Sequence, residues 1–235
     1  MAEKTLRSND HIIPLEGVTN ARDLGGYINR KRRRIKSGKL LRTGQLYTAT
    51  ERDIKTLREN YNVGTIIDFR SGYETILHSD PNISGAKYHN LPVLEFKRSE
   101  EEQEKLMKVY AEKKYGKRLL TLAEAGITAD TGVYARIMFG ESAKAAYKSF
   151  FELLLENDEE HSVLFHCTQG KDRTGIAAAL LLTLLDIPEE VIMEDYLLTN
   201  NANSHIIRAD IAAVPHVIPC SLNSIISFSY CCMCL

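Results

Sequence analysis

Residues 166–175 read HCTQGKDRTG, a cysteine preceded by a histidine and followed six places later by an arginine. A lone thiol is usually a small buried apolar group, but this one stands in a glycine-broken, positively charged turn. The flanking segments VLF and IAAALLL predict a buried strand ending at His166 and a helix beginning near Arg173. In such a loop backbone N–H groups converge, and the helix N-terminus adds partial positive charge. Gly170 is expected to let the backbone curl where a side chain would block an anion. Arg173 would close the cradle with its planar fork. Cys167 sits at the base, where the dipole, the amides and Lys171 or Arg173 favour its thiolate. A thiolate beneath a phosphate-sized anion site is equipped for covalent phosphoryl transfer.

The elements that must hold this loop are readable on both sides of it. Ser162–Phe165 predicts a strand, Gly175–Leu185 an apolar helix, and Pro188 starts another helix running to about Asn200. Upstream, GVTNARDLGGY ends in a Gly25-Gly26 turn, and Tyr27 to Leu41 reads as a β-hairpin with the basic run Arg30 to Arg34 at its tip. That tip is either a solvated turn or a contact for an anionic membrane. Thr50 caps a helix over Glu51–Asn60, with Asp53 completing a capping-box pair. Val63, Thr65, Ile66 and Ile67 form a β-branched run ending at Asp68, the pattern of a buried parallel strand. Lys87–Val93 is a weaker strand. Two longer helices are expected: Glu95–Arg118, charged, and Val133–Leu155, with Phe150, Phe151, Leu154 and Leu155 facing inward. Strands alternating with helices predict an α/β fold: a central, mostly parallel sheet flanked by helices, with an N-terminal β-hairpin.

Composition narrows the class. A chain of 235 residues, 44% hydrophobic and 26% charged, suits one large globular α/β domain. A net charge of −1 gives no global field for nucleic acid. The start, MAEKTLRSND, has no apolar signal core, and no run is long enough for an integral membrane segment. Cys167 stands alone in the body while Cys220, Cys231, Cys232 and Cys234 crowd the end. That is no disulfide framework, so a reducing, cytoplasmic setting is expected. The end also offers no second ligand set beside its cysteines, so neither a metal nor another cofactor is expected. Residues 211–235 carry no charge. The expected division is a segment 1–14, a catalytic domain 15–210 and an atypical tail 211–235.

HCTQGKDRTG resembles the Cys-x5-Arg signature of the protein-tyrosine phosphatase superfamily. Its HCxxGKDRTG form is similar to that of the bacterial and fungal lipid-phosphatase-like tyrosine phosphatases. The resemblance extends over roughly residues 15 to 205 through NARDLGGY (20–27), KSGKLLRTGQL (36–46), DFRS (68–71) and EDYLLTN (194–200). It implies a cofactor-free hydrolase whose substrate is a phosphorylated protein or a phosphoinositide. Cys167 would attack phosphorus, and Arg173 with the loop amides of Thr168, Gln169 and Gly170 would hold the equatorial oxygens. Thr174 would hydrogen-bond the cysteine sulfur, His166 would orient the loop, and Lys171 would add charge at the rim. Gln169 departs from the small residue the family places there. Asn20, Arg22 and Asp23 would lie beside the site and hold the first strand and turn.

The general acid is left open among three aspartates. Asp172 matches the family's in-loop aspartate and adjoins the bound phosphate. Asp68 ends a parallel strand, at the edge where open α/β sheets place their sites, and could equally hold Arg70. Asp130 is third. Two competing classes remain: a phosphate-binding pseudophosphatase, which would be expected to lose Cys167 or Arg173, and a sulfurtransferase or arsenate reductase, against which the Arg-Thr-Gly helix opening argues.

Overall fold

A computed structural model describes residues 11–95 and 132–204. The expected Glu95–Arg118 helix beyond its first residue, Asp130 and the four terminal cysteines lie outside the described residues. Five strands form one sheet in the order β1-β2-β5-β3-β4: β1 (Arg22–Asp23), β2 (Leu40–Thr43), β3 (Val63–Asp68), β4 (Lys87–Asn90) and β5 (Ser162–His166). β2, β5, β3 and β4 run parallel, and β1 pairs antiparallel to β2. The register sets both Thr43 and Asp68 opposite His166. Three neighbouring strands therefore end level, and their outgoing loops emerge side by side.

The period-two side-chain alternation of strands sends Val163, Phe165 and Ile67 to one face of the sheet, and Leu164 and Ile66 to the other. Both faces are buried, as the short β-branched runs require. Helix α1 (Glu51–Glu59) covers the second face and starts at the expected box: Asp53 N–H donates to Thr50 Oγ1, and Thr50 N–H to Asp53 Oδ2. The first face is covered by α4 (Glu141–Glu156) and α5 (Asp172–Leu184). Helices α2 (Gly72–Leu77), α3 (Gly132–Phe139) and α6 (Glu189–Ala202) complete the layers.

Three expectations are corrected. The single helix over Val133–Leu155 is two helices, because Gly140 takes an extended conformation (φ −62°, ψ 152°) between α3 and α4. In α4 the buried residues are Ala143, Ala146, Tyr147 and Phe150, an i, i+3, i+4, i+7 stripe. Leu155 falls off that stripe and is 87% exposed, whereas Phe151 and Leu154 are partly buried. The N-terminal hairpin is shorter than expected. Ile28 bridges Arg34, and the tip closes over Asn29, whose side-chain oxygen accepts from the N–H groups of Lys31 and Arg33. The sheet strand facing Leu41 and Arg42 is Arg22–Asp23.

Phe150 is fully buried and meets Phe69 and Phe165 edge-on, with ring centroids 5.5 and 5.1 Å away. Phe150→Ala should therefore cost about 3–5 kcal/mol by urea denaturation. Leu155→Ala, on the solvent side of the same helix, should stay within about 0.5 kcal/mol. Equal losses at the two positions would refute this helix orientation.

Candidate active site

The loop from Cys167 to Lys171 joins β5 to α5, and protein groups capture each of its leading carbonyls. His166 O accepts from the N–H of Phe69 (2.9 Å), and Thr168 O from the N–H of Gln45 (3.0 Å). His166 Nδ1 lies 3.2 Å from Cys167 O. Gln169 O accepts from the side-chain amides of Asn20 and Asn203, both at 3.2 Å. Gly170 O accepts from Asn20 Nδ2 and Arg42 Nη2, both at 2.9 Å. In a planar trans peptide the N–H points opposite to the C=O. Tethering these oxygens thus turns the following N–H groups away from the tethers. Among the described residues nothing accepts from the N–H of Thr168, Gln169 or Gly170. Donors in such a row, at the start of a helix, are the makings of an anion site.

The tethers rest on a buried polar network. Arg42 Nη1 donates to Asp195 Oδ2 at 2.6 Å, with both side chains almost wholly buried, and Tyr27 Oη donates to Asp195 Oδ1 at 3.1 Å. Arg22 lies 3.7 Å from the same carboxylate and donates to Thr199 Oγ1 at 3.2 Å. Asp195, Thr199 and Asn203 recur every fourth residue, so α6 presents one buried polar stripe to these partners. Burial alone would raise the Asp195 pKa. The charges of Arg42 and Arg22 and the bonds from Tyr27 and Arg42 outweigh burial and hold it below the usual range.

Arg173 is fixed by a residue the sequence reading missed. Its Nη1 and Nη2 donate to Glu74 Oε2 and Oε1 at 2.7 and 2.8 Å, a fork on a carboxylate. Thr168 Oγ1 accepts from Arg173 Nη2 (3.1 Å) and donates to Glu74 Oε1 (2.6 Å), linking both to the loop. Glu74 also accepts from the N–H of Ser71 at the start of α2. Burial would raise the Glu74 pKa, but the charge and bonds of Arg173, the Thr168 hydroxyl and the Ser71 amide hold it well below the carboxylate range. The Ser71-x-x-Glu74 spacing was readable as a capping box; its second task, across the fold, was not.

Cys167 is a buried free thiol in the core beneath the loop. Nearby, Tyr147 Oη donates to Arg173 O at 3.3 Å, and burial, then the proximity of Cys167, push its phenol pKa up. Asp172 opens α5 with its side chain 31% exposed. It accepts from Tyr134 Oη of α3 at 3.1 Å and lies 3.8 Å from Lys171 Nζ. Lys171, expected at the rim, is 4% exposed, because the loop turns it inward at the start of α5. Gly170 takes the curled, left-handed backbone expected of it, and packing adds a second reason for a glycine. Its φ is +63°, and a Cβ there would come within 2.4 Å of the Thr43 carbonyl oxygen.

The remaining expected residues fall outside the cradle or support it. Asp68 is fully buried, forms a two-sided pair with Arg70 at 2.7–3.0 Å and accepts from Tyr88 Oη at 2.7 Å. Burial would raise its pKa, but His166 and Arg70 outweigh that and keep it low. His166 is buried, with Nε2 3.0 Å from Asp80 Oδ2. Asp68, Asp80 and His166 are of metal-ligand type. Arg70 Nη2 already lies 2.7 Å from Asp68 and 2.8 Å from Asp80, however, so a guanidinium supplies the charge that a cation would bring. Among the described residues the buried Thr174 hydroxyl has no hydrogen-bond partner, so the expected bond to Cys167 sulfur is not made there. Asp23 accepts from the N–H groups of Gly25 (2.8 Å) and Gly38 (2.6 Å), tying turn to hairpin.

The fold and loop define an α/β protein of the Cys-x5-Arg class. The chain belongs to the tyrosine phosphatase family, whose model matches residues 13–230. It is 29% identical over 196 residues to a Cupriavidus necator protein provisionally named a tyrosine-protein phosphatase, covering 83% of this chain. It is 46% identical over 50 residues to the tyrosine-protein phosphatase of Nostoc commune, covering 21% of this chain. The matches span 65% and 17% of those relatives' own lengths.

Glu74, Asp68 and Asp195 stay ionised where the unfolded chain, with carboxyl pKa values of about 3.9–4.3, takes up protons. Their contribution to stability is complete above that range and is lost as pH falls through the lowered folded values. Glu74→Gln removes one such group. The fall in urea midpoint between about pH 6 and pH 3 should be smaller in this variant than in the wild type. An unchanged fall would remove the charged Glu74–Arg173 pair from this account.

Proposed function

We propose that the protein is a cysteine-dependent phosphatase that hydrolyses phosphotyrosine monoesters of proteins through a phosphocysteine intermediate. The observation that carries this reading is the row of unaccepted amides at Thr168, Gln169 and Gly170 beside Arg173, with Cys167 below. Three equatorial phosphoryl oxygens spread charge in the transition state, and a pre-tethered set of donors meets that charge without reorganising. The Cys167 thiolate attacks phosphorus, a P–S bond forms and the P–O ester bond breaks. The carboxyl of Asp172 gives its proton to the departing oxygen. Water then attacks phosphorus, Asp172 takes the proton, and Cys167 leaves as thiolate with inorganic phosphate released.

Asp172 is preferred to Asp68 as the acid on geometry. Asp172 reaches solvent at the loop mouth, while Asp68 is sealed between Arg70, His166 and Tyr88. His166, Asn20, Arg22 and Arg70 act through position, and no metal or cofactor enters a step. Retention of both Cys167 and Arg173 favours turnover over mere phosphate binding. Phosphoserine, phosphothreonine and phosphoinositide headgroups are the further substrates to compare with phosphotyrosine peptides. Cys167 must stay reduced for this chemistry, which suits the cytoplasm. Among the described residues no helix is long and apolar enough to cross a membrane.

Hydrolysis of p-nitrophenyl phosphate should persist in EDTA and vanish in Cys167→Ser; a full rate in the serine variant, or loss on chelation, would reject the cysteine mechanism. Asp172→Asn should slow substrates with poor leaving groups by about 10²–10⁴-fold and p-nitrophenyl phosphate far less. Asp68→Asn should weaken all substrates alike. The opposite pattern would exchange the two roles.

A further inference from the structure

A groove of about 810 Å³ lies at the other end of the sheet from Cys167. Its lining includes Leu40 and Val163, which pair at the amino ends of β2 and β5, whereas the catalytic loop leaves the carboxyl end of β5. Three strand residues, Leu164, Phe165 and His166, separate Val163 from Cys167, a span of roughly 13 Å. The floor is apolar, built from Leu40, Phe151, Leu154 and Leu181. Leu155 and Leu184 stand at its edge, 87% and 70% exposed. Beside them runs RKRRRIKSGK (30–39), with seven basic residues in ten and no acid. Acidic residues of the region are largely engaged: Glu159 pairs with Lys36 at 2.9 Å, Asp186 with Arg30 at 3.4 Å, and Asp158 with His161 at 2.8 Å. The side chains of Lys31 and Arg33 have no partner among the described residues.

Exposed leucines next to unpaired cations match the chemistry of a bilayer interface, where anionic headgroups meet the charges and acyl chains take the apolar groups. An acidic peptide would use the cations but would not need the projecting leucines. We propose that this face docks on an anionic lipid bilayer, with headgroup phosphates at Lys31 and Arg33 and with Leu155 and Leu184 entering the acyl boundary. Docked so, the catalytic loop points away from the bilayer, and phosphorylated substrate arrives from solution rather than from the lipids beneath.

The test is vesicle co-sedimentation of the full chain, a readout independent of any phosphatase activity. Vesicles of phosphatidylcholine with about 30% phosphatidylserine should retain the protein in about 0.1 M salt and release it in about 0.5 M, while phosphatidylcholine alone should not bind. The double variant Lys31→Glu/Arg33→Glu should bind at least about tenfold more weakly. Leu184→Gln should also weaken binding while keeping its salt dependence. Unaltered circular dichroism and thermal midpoint would show that both variants fold. Failure of the wild type to bind anionic vesicles, equal binding by the charge-reversed variant, or binding of polyglutamate without binding to vesicles would overturn the proposal; the last would assign the face to an acidic peptide.

Discussion

Each peptide unit from His166 to Gly170 has its oxygen engaged, and the rest of the structure follows from that requirement. A buried carbonyl without a partner costs about 1–3 kcal/mol, so tethers must come from somewhere, and the fold brings them from six places in the chain. Phe69 and Gln45 offer backbone N–H groups because β3 and β2 end level with β5. Asn20, Arg42 and Asn203 offer side chains from the approach to β1, from β2 and from the end of α6. The sixth is His166, beside the Cys167 carbonyl. The unaccepted amides are the other half of the same peptide planes.

Charge is handled by the same logic. An arginine beside a buried thiol would be a costly lone cation, and Glu74 holds it in a fixed fork. Arg42 is held likewise by Asp195, and Arg70 by Asp68 and Asp80. In each case the acid fixes the guanidinium in a single geometry. For Arg173 the proposed task of that geometry is to aim donors at a substrate; for Arg42 and Arg70 it keeps scaffold and loop in register.

Local pattern made much of this readable from the sequence. The strands at Val63–Asp68 and Ser162–His166, the capping box at Thr50 and the helix after the loop are all encoded within a few residues. So was the Cys-to-Arg loop, since its spacing is short. What stayed hidden depends on distance in sequence. Glu74 meets Arg173 across 99 positions, and Arg42 meets Asp195 across 153. The break at Gly140 was overlooked because apolar periodicity continued on both sides of it. Leu155 was misassigned because a run of adjacent apolar residues hides which face is buried; only the stripe beginning at Ala143 settles it.

The central claim is that the amides of residues 168–170 form the anion site, and amide NMR tests it directly. Inorganic phosphate added to ¹⁵N-labelled protein should move the N–H resonances of Thr168, Gln169 and Gly170 together, along one saturating curve, as hydrogen bonds to phosphate form. Static resonances at these three positions, with shifts confined to surface cations such as Lys31 and Arg33, would contradict it.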